Sequence, residues 1–133
     1  MTTKRLFPLL AASLLLASCA LLPPSPSQNR AVLSLLDQAN NQITAGQLDQ
    51  AGASLERAMR IEPLNPALWQ ELAQVRIAQG RYQQAENMAA KSNALAEGNR
   101  SMREKNWRLI AEARRNQGDD KGAQAALDRA SGK

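Results

Sequence analysis

The chain has 133 residues, 44% of them apolar, with 17 Lys and Arg against 12 Asp and Glu, a net charge of +5, one Cys and no His. The missing His and the lone Cys remove the usual general base, the Cys/His nucleophile pairs and nearly every zinc arrangement. Met1 to Ser18 reads as an address: Lys4 and Arg5 precede an apolar run from Leu6 to Leu16, and small residues follow. That run is about half of the roughly 20 residues a membrane-spanning helix needs, so residues 1–18 are expected to be a cleaved signal peptide. About 115 residues then remain, enough for one domain and not two.

Leu16-Ala17-Ser18-Cys19 resembles the lipobox of bacterial lipoproteins, in which the Cys becomes the acylated first residue of the mature chain. The alternative is a plain secretory signal with an unrelated Cys. A lone thiol has no disulfide partner in an exported protein, so lipidation also accounts for its presence. The resemblance implies two or three acyl chains on Cys19, palmitate among them, and more than one chain is what stable anchoring requires. With Ala20 rather than Asp after the Cys, it also implies the outer membrane. Residues 19–29 then hold Pro23, Pro24 and Pro26 among Ser and Gln with no apolar period, and read as a tether. In a polyproline-like state, at about 3.1 Å per residue, it reaches roughly 30 Å.

Beyond the tether no stretch alternates with period two over a strand length, and Ala, Leu, Gln, Arg and Glu dominate, so the fold is expected to be all-α. The spacing predicts helices at Arg30 to Ala45, Leu48 to Ile61, Pro66 to Gln79, Tyr82 to Leu95, Arg100 to Gln117 and Lys121 to Ala130. The clearest unit is Pro66 to Ala89, two short helices hinged at Gly80. Asn65 and Pro66 open the first of these helices, and Gly80 stands where a left-handed residue is needed. Trp69, Leu72, Ala73 and Arg76 line one helix; the small Ala85, Ala89 and Ser92 line the other. Leu35, Ala39, Ala51, Leu55 and Ala58 repeat the pattern around Gly46, with Pro63 closing the unit. Around Gly118 it is repeated by Trp107, Ile110, Ala111, Ala123, Leu127 and Ala130. The three glycines are 34 and then 38 residues apart.

The 34-residue interval and these residues resemble the tetratricopeptide repeat family. The resemblance implies an α-solenoid of about three helical hairpins over residues 30–133, with repeats at about 32–65, 66–99 and 104–133. The last helix can serve as a polar end cap. Departures from the family pattern are Gln38 in place of Leu, Gln42, Arg76 and Arg114 where Tyr is usual, and Glu97 in place of the closing Pro. The four extra residues before Gly118 imply a longer helix or a longer junction around Glu97 to Arg103.

Little in the chain carries chemistry. Asp119-Asp120, the only paired carboxylates, follow Gly118 and read as a helix cap. Glu56, Glu71, Glu86 and Glu112 read as solvated helix faces, and no glycine-rich phosphate loop is present. No catalytic residue, metal site or cofactor is expected apart from the covalent lipid on Cys19, and the protein is read as not an enzyme. In the family the first helix of each hairpin lines a concave groove for extended or helical peptides. Carried over, that groove would be lined by Leu36, Asn40 and Ile43 with Leu33, by Gln70 and Gln74 with Glu71 and Ile77, and by Lys105, Arg108 and Arg115 with Glu112. It would be apolar at one end and basic at the other, suited to a peptide with apolar side chains and a carboxylate. Ordinary core packing of Leu33 and Leu36 and solvation of the arginines are the alternatives. Asn40 and Lys105 match two residues of the Lys/Asn/Arg clamp of some eukaryotic members, but Leu36, Glu71 and Leu109 do not, so that clamp is not expected.

From Arg100 onward nine Lys and Arg face five Asp and Glu, which makes anionic lipid, acidic envelope polymers or an acidic protein better candidates than nucleic acid for an exported domain. The reading is therefore a non-catalytic, lipid-anchored adaptor or scaffold on the periplasmic side of the outer membrane. Its groove would hold a protein or peptide partner such as a peptidoglycan-processing enzyme or a protease. The alternative is a pilotin or assembly subunit for pilus, secretion or outer-membrane machinery. Oligomeric state is left open.

Overall fold

A computed structural model describes residues 29–132; the expected signal peptide, Cys19 and the tether up to Gln28 lie outside the described residues, as does Lys133. Six helices and no strand occur among the described residues: α1 (Arg30–Thr44), α2 (Leu48–Ile61), α3 (Pro66–Ala78), α4 (Tyr82–Leu95), α5 (Arg100–Asn116) and α6 (Asp120–Ala130). They match the expected helices in number and order, and each end agrees within one residue. The starts are set locally. Asn29, Asn65 and Asn99 accept from the backbone N–H of Ala31, Ala67 and Met102 at 3.0 Å, and Asp119 accepts from Gly122 at 2.8 Å, so the side chain satisfies a donor the helix itself leaves open.

Within each hairpin the turn is the same device. Gly46, Gly80 and Gly118 hold φ of 74°, 72° and 79°, the left-handed region where a Cβ is disfavoured. Past each glycine the next N–H reaches back to the carbonyl of Gln42, Arg76 or Arg114 at 2.8–2.9 Å, which closes the helix end as a Schellman motif. The chain therefore reverses at those three glycines, and α1/α2, α3/α4 and α5/α6 pack as antiparallel pairs.

The core is built from aliphatic residues interleaved with alanines, both within each pair and between neighbouring pairs. Leu72 and Val75 meet Ala51 and Leu55 in one cluster; Ala73, Ala89, Ile110, Ala111, Ala123 and Ala126 form another; Val32, Leu35, Ala58 and Leu68 form the third. Alanine at the crossing lets helix axes approach closely. Leu55, Leu68 and Ile110 are fully buried, each contributing about 1.5–3 kcal/mol by leaving water.

The four residues by which the Gly80–Gly118 interval exceeds the Gly46–Gly80 interval turn out to be helix. Both inter-repeat junctions, Glu62–Asn65 and Ala96–Asn99, have the same length, whereas α5 has 17 residues and α3 has 13. One extra turn therefore projects from the start of α5. It also lengthens the contact of α5 along α4, and α3 packs directly on α5, while α1 makes no comparable contact with α3.

Candidate partner-binding groove

The first helices α1, α3 and α5 run in the same direction, so residues at equivalent positions line up across them. Between α3 and α5 the surface sinks into a recess of ≈ 230 Å³ lined by Gln70, Gln74, Lys105, Arg108 and Leu109. Four of these were expected from the sequence; Leu109 is the apolar floor that was not. Gln74, Lys105 and Arg108 are exposed. Arg108 donates to Glu104 Oε1 at 2.7 Å one turn away, leaving other guanidinium donors for a ligand.

Gln70 is placed differently from a free groove residue. It is buried, and its Nε2 donates to Asn106 Oδ1 at 2.7 Å and to the Met102 carbonyl at 3.3 Å. Asn106 Nδ2 in turn donates to Ser92 Oγ at 2.8 Å, and Ser92 Oγ donates to the Pro66 carbonyl at 2.8 Å. The chain of bonds joins α3, α4 and α5 and holds the wall of the recess. Glu71, next along α3, is half-buried; burial pushes its carboxyl above the usual range, and the nearby Lys105 ammonium opposes that shift.

The remaining expected lining residues are not gathered into this recess. Leu36 is half-buried against the clusters of the first and second repeats. Asn40 is exposed, and Leu33 and Ile43 are 47% and 37% exposed, so α1 presents an apolar strip of its own. Arg115 is exposed seven residues beyond Arg108, about 10 Å farther along the helix.

Two arginines close the other side of each inter-repeat contact. Arg76 on α3 donates to Glu56 on α2 and, at 2.8 Å, to Gln79 Oε1; Gly52 makes room, since a Cβ there would lie 2.9 Å from the guanidinium. Arg114 on α5 donates to Glu86 on α4 through Nε at 2.8 Å and Nη2 at 2.5 Å, and to the Gly122 carbonyl at 3.3 Å. Donation to the Glu86 carboxylate is the main reason the Arg114 guanidinium holds its proton more tightly than an ordinary one. At these positions, where the family usually has Tyr, a cation reaches back to the preceding repeat.

Comparison with known proteins places this architecture. The tetratricopeptide repeat model matches residues 42–101. The globular C-terminal domain of LpoP from P. aeruginosa is 43% identical over 79% of this chain and 99% of that chain, with a TM-score of 0.76. The chain belongs to the tetratricopeptide repeat family. A further tetratricopeptide-like fold, the N-terminal domain of stress-induced protein-1 (STI-1) from C. elegans, superposes with a TM-score of 0.74 over 81% of this chain and 87% of that one; at 15% identity the likeness is one of fold. No curated protein matches the sequence.

Within that family frame, the sequence reading overlooked the buried network, although a signal for it was present. In repeat register Leu36, Ala58 and Leu68 correspond to Gln70, Ser92 and Asn106. Three coincident apolar-to-polar exchanges at positions that face one another in a tetratricopeptide array are the mark of a hydrogen-bonded set.

Proposed function

We propose that this protein is a non-catalytic adaptor whose tetratricopeptide domain takes a protein or peptide partner in the groove of its first helices. On this reading an acylated Cys19 holds it at the periplasmic face of the outer membrane. The observation that carries the groove is the recess between α3 and α5, where Lys105 and Arg108 stand over Leu109 beside Gln70 and Gln74. An Arg and a Lys over an apolar floor suit a partner segment that offers a carboxylate beside an apolar side chain. The 43% identity that spans nearly all of the LpoP domain supports a shared mode of use of this surface. A peptidoglycan-processing enzyme or a protease is the partner class we favour, as a soluble or membrane-held enzyme brought to the envelope surface by a domain with no chemistry of its own.

The test is to crosslink the protein in cells, identify the captured partner by mass spectrometry, and measure its affinity for wild type and for Lys105→Glu/Arg108→Glu. Charge reversal in the recess is expected to weaken binding by about tenfold or more at low salt. Unchanged affinity with an intact helical spectrum removes the recess as the contact.

A further inference from the structure

Because the six helices alternate in direction, one edge of the stack gathers the starts of α1, α3 and α5 and the ends of α2, α4 and α6. The three glycine turns lie at the other edge. At the first edge Arg100 and Arg103, in the extra turn of α5, and Arg129, near the end of α6, surround Trp107 in a recess of ≈ 320 Å³. The Arg129 guanidinium lies 4.8 Å from the centre of the Trp107 ring. All three arginines are exposed, and among the described residues none of them pairs with a carboxylate. Glu104, the one acid of the recess, is engaged with Arg108 on the groove side.

The same edge continues past this cluster. Arg60 is exposed beside Ile61, 44% exposed, and Leu64 stands out of the α2–α3 junction at 73% exposure. Arg30 opens α1. Besides Glu104, the acids of this edge are Glu62, which accepts from Asn65, Glu97, and Asp128, which accepts from Gln124. At the turn edge, by contrast, cations are paired or stand beside acids: Arg81 with Asp49, Arg114 with Glu86, and Arg115 and Lys121 near Asp119 and Asp120. Exposed arginines and protruding aliphatic side chains therefore occur together on this edge.

We propose that this edge lies on an anionic phospholipid surface, with headgroup phosphates in the Arg100–Arg103–Arg129 recess and Ile61 and Leu64 in the interfacial layer. A guanidinium fork holds phosphate oxygens by two parallel hydrogen bonds, and aliphatic side chains flanked by arginine are the pattern of a surface that sits at a lipid interface. Position argues for the same occupant. The chain enters the domain at Arg30, on this edge, and the ten residues between Cys19 and Arg30 span at most about 36 Å fully extended. The placement rests on the acylated Cys19 of the proposed function: an anchor there draws this edge, and not the turn edge, toward lipid. The groove between α3 and α5 then opens sideways, free for a partner.

The experiment uses the full-length acylated protein reconstituted on vesicles of phosphatidylcholine alone and of phosphatidylcholine mixed with phosphatidylglycerol, read by amide hydrogen exchange. Residues 60–65 and 97–104 are expected to exchange several-fold more slowly on the anionic vesicles, while the turns at 45–48, 79–82 and 117–120 exchange alike on both. Arg100→Gln/Arg103→Gln, two exposed changes checked by far-ultraviolet circular dichroism, should erase the difference at 97–104. So should about 1 M salt, where the screening length falls to about 3 Å. Equal exchange on the two vesicle types overturns the proposal, as does a difference at the turn edge or one that survives the double substitution. Partition onto the neutral vesicles reads the anchor separately: a protein that ignores them yet shows the anionic difference loses the acyl chain and keeps the lipid-facing edge.

Discussion

The two inter-repeat junctions occupy equivalent places and are held by opposite chemistry. At the first, Leu36, Ala58 and Leu68 pack with Val32, Leu35 and Met59; at the second, the corresponding Gln70, Ser92 and Asn106 are linked by hydrogen bonds of 2.7–2.8 Å. Hydrophobic contact is non-directional and tolerates small changes of helix angle, whereas a chain of amide and hydroxyl bonds is satisfied in only one arrangement. The polar junction is also the one where α5 has its extra turn and lies directly on α3. Asp37 on α1 is exposed, while its counterpart Glu71 on α3 is half-buried beside that longer helix. The lesson is that a solenoid with one backbone rule can carry a forgiving joint and a specified joint, and here the specified joint forms the wall of the candidate groove.

The largest effect should come from moving the polar solution to the apolar joint. Leu68→Asn removes a fully buried Leu and buries an amide among Leu36, Ala58 and Val32, none of which offers a side-chain partner. Loss of transfer energy, a residual cavity and an unsatisfied amide add up to about 3–5 kcal/mol. Equilibrium urea unfolding measures it, and a loss under about 1 kcal/mol would show that the first joint can be rewired as easily as the second.

The reverse exchange sharpens the comparison. Asn106→Leu alone takes from Gln70 its 2.7 Å acceptor and leaves it only the 3.3 Å bond to the Met102 carbonyl, which should cost about 2 kcal/mol, since a buried polar group that loses a good partner keeps most of its desolvation penalty. Adding Gln70→Leu and Ser92→Ala reproduces the first joint and should return stability to within about 1 kcal/mol of wild type, because a satisfied polar set and an apolar set of similar shape are nearly interchangeable in stability. If the triple variant is no better than Asn106→Leu, the longer α5 rather than the side chains decides how the second joint packs.

How far the sequence could carry this is clear from the same residues. Asn65, Pro66, Gly80 and Asp119 signal their helix ends within three or four positions, and the structure puts the ends there. The network was not legible as a network: Gln70, Ser92 and Asn106 lie 14 to 36 residues apart, and Gln70 by itself reads as a groove residue because its helical position faces that way. The extra four residues admitted two readings, longer helix or longer junction, since neither Glu97 nor Arg103 carries a local signal that separates them.

The smallest effect concerns acid at the second joint. Burial holds the folded-state pKa of Glu71 above its unfolded value, so between the two values the folded state keeps a proton that the unfolded state releases. Stability therefore falls as pH rises through that window, and above it the cost of the buried charge is fully present. Glu71→Gln removes the cost: its urea midpoint should exceed that of wild type at neutral pH, and the gap should close as pH falls below the ordinary carboxylate range. A gap independent of pH would mean that Lys105 compensates the buried charge.

By itself the sequence determined the helices, their caps, the three left-handed turns and the repeat, because each depends on backbone preferences and side-chain bonds spanning a few residues. Only the tertiary structure decided that Gln70 serves a joint as well as a groove, that the surplus turn belongs to α5, and that Arg100, Arg103 and Arg129 converge on Trp107. Those outcomes depend on the angle and length over which one hairpin meets the next, and no short stretch of chain encodes that geometry.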